Sequence, residues 1–373
     1  MAGLEIASLF ASIGASTDEF DKALKKVDGD LSFMEKGMGR IGDFTTGAFK
    51  VIGAAGAVAF TGAVASMGMA ISAAADVEQQ AANISAVFGD MAPPLDVVKD
   101  KINSLALDPT LVVGIEDAGA GLEMLAKNGL SWDEIANGAA RATILLSNAT
   151  GTALPTSADL ATNALSVFGL ASDRINDVVA TYVNIANSSQ LTTEDIGMAF
   201  ANAGPKAHAL GINIDELGAA LALTSGSFTS GQTQGTSWSW MLSGLTPNTQ
   251  KATDLMKELG LITADGANQF FDATGTAKSL DQIMAILQQT FGGMSAVQMD
   301  AAVSTLFGNE AYGALSAVLG INLDKYNALI PTMTDFSAVE AGAATRTGTY
   351  KAAMAALHDT FNSVFVMIGD KLL

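Results

Sequence analysis

The sequence predicts a mainly α protein: a multi-helix bundle core, a long N-terminal helical arm that opens with a short strand, and a long C-terminal amphipathic helix. Three observations carry this. Only 7 of 373 residues are proline, so the commonest helix breaker is nearly missing. Apolar residues recur three and four apart through most of the chain, the pattern of one-faced helices. Between those runs, a glycine followed by an apolar residue and a capping residue returns repeatedly; that unit ends one helix in left-handed backbone and opens the next.

Residues 4–13, LEIASLFASI, alternate loosely between apolar and small or polar, which predicts a short strand. Ser16 and Glu19 have the spacing of a capping box. One helix then runs from Thr17 through KALKKV and a second over 31–50, so residues 1–50 form the arm. Residues 51–75, VIGAAGAVAFTGAVASMGMAISAAA, carry no charge and exceed the roughly 20 residues that cross a bilayer. Most of them are Gly, Ala, Ser or Thr. Val51, Ile52, Val58, Phe60, Val64 and Ile71 together supply only about −2 to −3.5 kcal/mol of insertion free energy. Small residues four apart, such as Gly53 with Ala57 and Gly62 with Ser66, let helices approach closely. Two readings stay open, a helix packed against protein and a bilayer-competent helix. Gly53, Ala57, Phe60, Gly62, Val64, Ser66 and Ile71 are the candidate residues for both.

From 76 to 330 the pattern is a helical core. Val77, Ala81, Ile84 and Phe88 share a face, as do Leu95, Val98, Ile102 and Leu105. The glycine punctuation falls at Gly129, Gly169, Gly211, Gly260 and Gly320, with capping boxes at Ser131–Glu134 and Asn213–Glu216. Its uneven intervals point to an ordinary bundle rather than a fixed-period solenoid. The Gly/Ser/Thr-rich stretch 224–247 reads as a loop running into a helix that carries Trp238 and Trp240 as core rings. Residues 335–373 read as one long helix. Tyr350, Met354, Leu357, Phe361, Val364, Ile368 and Leu372 form a nearly heptad seam, still apolar at the last residue. The seam folds back on the core, meets another copy, or continues in a longer chain of which this one is a truncated part.

The formal net charge is −19 and no basic stripe exists, so nucleic acid is not an expected partner. The absence of cysteine excludes disulfides and thiolate metal sites. The first residues have no basic stretch before an apolar run, so they do not form a secretory signal. The two histidines, His208 and His358, lack the spacing of a zinc motif, and no phosphate loop is present. Gly119 and Gly121 lack the third glycine of a dinucleotide fingerprint, and no nucleophile elbow occurs. Glu19, Asp133, Glu134, Asp195, Asp215 and Glu216 stand at helix starts, where the macrodipole favours negative charge. The expectation is a non-enzyme without catalytic, cofactor-binding or metal-ligating residues, and without a cofactor.

The order of features points to a family. LFASIGASTDEF precedes the arm and the uncharged helix. ADVEQQAANISAVFGD, GLEMLAKNGLSWDEI and ALSVFGL follow. Next comes AFANAGPKAHALGINIDELGAALALTSGSFTSGQTQGTSWSWMLSGLTP, then LMKELGL. This string resembles the conserved N-terminal core of the tail tape-measure proteins of long-tailed bacteriophages and prophages, most specifically over 76–262. The resemblance implies a structural ruler that self-associates and fills the tail tube. It implies the tail tube protein, tail-assembly chaperones and distal tail or tip proteins as partners. The locations implied are the virion tail lumen and, during assembly, the host cytoplasm. It also implies ejection during infection, with the host inner membrane as a further partner that the uncharged helix would enter. The alternative from a different class is a constitutively membrane-anchored or pore-forming helical protein. There Lys36, Arg40 and Lys50 before the span, with Asp76 and Glu78 after it, would keep the N-terminus cytoplasmic.

Overall fold

The computed structural model describes residues 60–348 other than Pro109, with side chains from Ala74 onward except Thr347. The strand at 4–13, the Ser16–Glu19 cap and the arm lie outside the described residues. Those described are helical, with two isolated antiparallel bridges, Ile262 to Asn268 and Phe271 to Ala277.

Helix α1 (Phe60–Phe88) packs on α2 (Leu95–Ala106) and α3 (Ile115–Lys127). The two predicted stripes make this contact: Val77, Ala81, Ile84, Val98, Ile102 and Leu105 are all buried. Three helical pairs follow. Helix α3 leads to α4 (Ala140–Thr150), entered through a turn at Trp132–Glu134 and a π-helical segment Ile135–Ala139. Helix α5 (Leu154–Val167) leads to α6 (Ile175–Ser188), and α7 (Thr193–Ala209) to α8 (Ile214–Thr224). Helix α9 (Gly231–Ser243) opens the next unit. The leading helices therefore start at 115, 154, 193 and 231, intervals of 39, 39 and 38 residues. They stack α3 on α5 on α7 on α9 as one layer, while α4, α6 and α8 stack as a second. This part of the core is a short solenoid-like array. The glycine spacing hides that period because loop lengths vary between and beyond the pairs; the helix starts carry it.

Beyond α9, α10 (Gln250–Glu258), α11 (Leu280–Phe291), α12 (Ala296–Leu306) and α13 (Tyr312–Leu319) close the end of the array. Helix α14 (Leu323–Met333) lies on α8 and α6, and α15 (Ser337–Thr347) on α4 and α6. The second layer is thus covered on two sides, which explains its sequence. Helix α6 buries Val178, Val179, Tyr182, Val183 and Ile185, and α8 buries Ile214, Leu217, Ala219, Ala220 and Leu221. A helix apolar all round is a buried helix.

Glycine sets the spacing inside the first layer. A Cβ on Gly231 would sit 1.8 Å from the Asp195 carbonyl oxygen, and one on Gly235 would sit 2.6 Å from that of Ala199. The backbones of α7 and α9 touch there with no side chain between. Glycines 119 and 121, which make no nucleotide loop, serve the same purpose in α3: their Cβ positions fall within 3 Å of Gln80 and Leu154.

The punctuation works as predicted at four of its five positions. Gly129, Gly169, Gly211 and Gly260 have φ of 91°, 61°, 76° and 73°. In each, the following apolar N–H donates to the carbonyl five residues back, as Ile212 does to Ala207 at 2.9 Å, which is the Schellman arrangement. Gly320 departs from the expectation. Its φ is −92°, and Gly320 and Ile321 donate three residues back, to Ala317 and Val318. Helix α13 ends by tightening into a 3₁₀-type turn, so no left-handed residue is required. The Ser131–Glu134 box forms, with Ser131 N–H donating to the Glu134 carboxylate at 2.7 Å. Asn213 N–H likewise donates to Glu216 at 3.1 Å.

Candidate interaction surfaces

The residues singled out from sequence fall at the two ends. Gly53 and Ala57 lie outside the described residues. Phe60, Gly62, Val64, Ser66 and Ile71 lie on the first half of α1, where the backbone is helical and side chains are not described. Residues 51–59 of the stretch read as bilayer-competent lie outside the described residues. In α1 the Gly/Ala-rich stretch continues without a break into Asp76, Glu78, Gln79 and Gln80, and among the described residues no helix is long and apolar enough to cross a membrane. The seam of Tyr350, Met354, Leu357, Phe361, Val364, Ile368 and Leu372 lies outside the described residues. His358 does too, while His208 is exposed in the last turn of α7.

The stretch 224–247 is more helical than expected. After a 3₁₀ turn and a short link, Ser230 caps α9 by accepting from Thr233 N–H at 3.3 Å. Its tryptophans part company. Trp238 is fully buried and donates Nε1–H to Thr224 Oγ1 at 3.3 Å, beside fully buried Gln234, which donates to the Leu221 carbonyl and to Thr224. Trp240, expected in the core, is 46% exposed and rests on the backbone of Gly308. Positions 238 and 240 are about 200° apart on a helix, so one face cannot bury both. Gln234 and Ser237, which bonds the Glu310 carbonyl at 2.6 Å, were missed as structural polar residues; their spacing with Trp238 was the available signal.

Ionisable groups are used structurally. Asp195 accepts from the N–H of Gly231 at 2.9 Å, and that bond, joined by those from Thr192, holds its carboxyl below the usual range. Glu134 is held low by Ser172 first and Ser131 second. Burial pushes the Tyr182 phenol up; its hydroxyl donates to the Leu160 carbonyl at 3.1 Å. Burial also lowers Lys101, whose ammonium reaches the Ala136 carbonyl in the π segment at 2.7 Å. Among the described residues no group of three or more His, Asp or Glu side chains is placed to hold a metal ion.

Two grooves open along the edge where the pairs join. One, of about 300 Å³, lies between Val112–Val113, the end of α4 and Gly151–Leu154. The other, of about 380 Å³, lies between Thr150–Thr152, the end of α6 and Leu191–Glu194, with Arg346 on its rim.

Residues 99–308 match a family described as phage-related minor tail protein. The chain is 23% identical over 250 residues to the tape measure protein of Pneumococcus phage Dp-1, covering 67% of this chain and 21% of that protein. It is 24% identical over 243 residues to the probable tape measure protein of Escherichia phage P2, covering 65% of this chain and 29% of that one. The chain therefore spans less than a third of either relative's length. No solved structure matches. A glycine-spaced helical array whose charges cap helices, matched over more than half its length, places this chain in the phage-related minor tail protein family, as its resemblance to tail tape-measure proteins implied.

Proposed function

We propose that this chain supplies the folded helical module of a phage tail tape-measure protein. Its work is structural, done through contacts with other copies, the tail tube protein, tail-assembly chaperones and distal tail or tip proteins. The places of that work are the host cytoplasm during assembly and the tail lumen afterwards, with ejection on infection. The carrying observation is the family match over 99–308, which contains the paired-helix array.

The array also constrains how such a protein measures length. Stacked helices lie about 8–10 Å apart, so one 39-residue pair advances the array by about 10 Å. The same 39 residues in one continuous helix advance about 58 Å. A ruler built economically keeps its length in continuous helix and uses the array as a compact end. In a phage that encodes this chain, duplicating residues 154–192 should change tail length by about 10 Å or less in electron micrographs. Adding 39 residues of uninterrupted helix outside the array should lengthen the tail by about 58 Å. Equal lengthening by both insertions would refute the division of labour.

A further inference from the structure

We infer that the groove rimmed by Arg346 binds an extended, uncharged, β-branched segment of a partner polypeptide, gripped through its main chain by Asn187. The two edge grooves are equivalent positions of the array. Adding 39 to Val112, Ile144, Ser147 and Thr152 of the first gives Gly151, Val183, Ala186 and Leu191 of the second. In the first repeat, Asn148 grips backbone. Val112 N–H donates to Asn148 Oδ1 at 2.8 Å, and Asn148 Nδ2 donates to the Val112 carbonyl at 2.7 Å. One carboxamide thereby satisfies both main-chain groups of a residue in a non-helical stretch.

Asn187 is the residue 39 positions on. It lines the second groove, is exposed, and among the described residues makes no side-chain hydrogen bond. Its counterpart of Val112 is Gly151, which is committed elsewhere: the Gly151 N–H donates to the Ser147 carbonyl at 2.7 Å as the cap of α4. The link from α4 to α5, Gly151–Ala153, is too short to run alongside as the stretch before α3 does. The grip is therefore present in the second repeat without backbone from the described residues of its own chain.

The occupant follows from the walls. Half-buried Ala186 and Leu191 give apolar surface, Thr192 lies beside them, and Glu194 and Arg346 bring one charge of each sign to the lining. A neutral extended segment suits these, of the kind the chain itself places at the first grip, Thr110–Gly114, where Leu111 and Val113 are buried.

The test uses the full chain and a fluorescently labelled, end-capped Thr-Leu-Val-Val-Gly peptide, read by anisotropy. Saturable binding should weaken at least about tenfold in Asn187→Ala, for the loss of two hydrogen bonds. It should also weaken in Ala186→Trp, which fills the groove, with helical circular dichroism retained in both variants. No binding to the wild type, or equal binding by Asn187→Ala, overturns the inference. Self-association of the wild type that Asn187→Ala abolishes, without peptide binding, overturns it too by assigning the groove to a second copy.

Discussion

Gly211 and Gly320 occupy the same place in the helix–glycine–apolar unit, yet their backbones differ: φ is +76° at one and −92° at the other. A β-branched residue resists positive φ, so Gly211→Val should lower stability by about 1–3 kcal/mol. At Gly320 a Cβ would meet nothing nearer than the Ala317 carbonyl oxygen at 3.5 Å. Gly320→Ala should therefore raise stability by about 0.4–1 kcal/mol through the unfolded chain. Denaturant midpoints of the two variants should move in opposite directions. Gly231→Ala is the harsher case because the obstacle is backbone, and about 3 kcal/mol is expected. Residue identity made glycine's role visible at the punctuation but not at Gly231. Close approach depends on a helix 36 residues earlier in the chain, which no local pattern encodes.

At the scale of elements, the acidic helix starts join neighbouring units. Thr192 caps α7 by accepting from the Asp195 N–H, while the Asp195 carboxylate takes the Gly231 N–H of α9, and Glu134 reaches Ser172 in the turn between α5 and α6 of the next pair. Both carboxyls are held below their ordinary values of 3.8 and 4.5. A depressed folded-state pKa contributes stability in full above the unfolded value, and that contribution is lost as pH falls through the folded value. The free energy of unfolding should therefore hold from neutral pH to about 5 and then fall progressively in more acidic solution. In Asp195→Asn the acid dependence should be shallower; an unchanged slope would remove Asp195 from the account. The cap assignments were legible because Ser, Asn and Glu three apart satisfy a local geometric need. The second partner of each carboxylate was not, since it sits on another helix.

For the whole molecule, the covering helix α15 ties the chain's later part to its first repeats. Val339 and Ala343 are buried, and Gly342 rests on Ala149, where a Cβ would meet Ala149 Cβ at 3.3 Å. Val339→Ala should cost about 2 kcal/mol in thermal or chemical unfolding. A negligible change would mean that α15 is not held on α4 and α6 in solution. The buried helices α6 and α8 could be recognised as apolar runs, but their covering by α14 and α15, from more than 100 residues later, could not.

What the sequence determined by itself is the helical class, most breaks between helices, the capping boxes at Ser131 and Asn213 and the family. These rest on forces acting within a turn or two of the chain: proline scarcity, three-and-four periodicity, left-handed glycine and hydrogen-bonding side chains at free N–H groups. Only the tertiary structure decided the 39-residue stacking, the close α7–α9 contact, the separate fates of Trp238 and Trp240, and the two edge grooves. Those depend on which helix lies beside which, and burial free energy rewards any apolar partner of suitable shape without naming it in the local pattern.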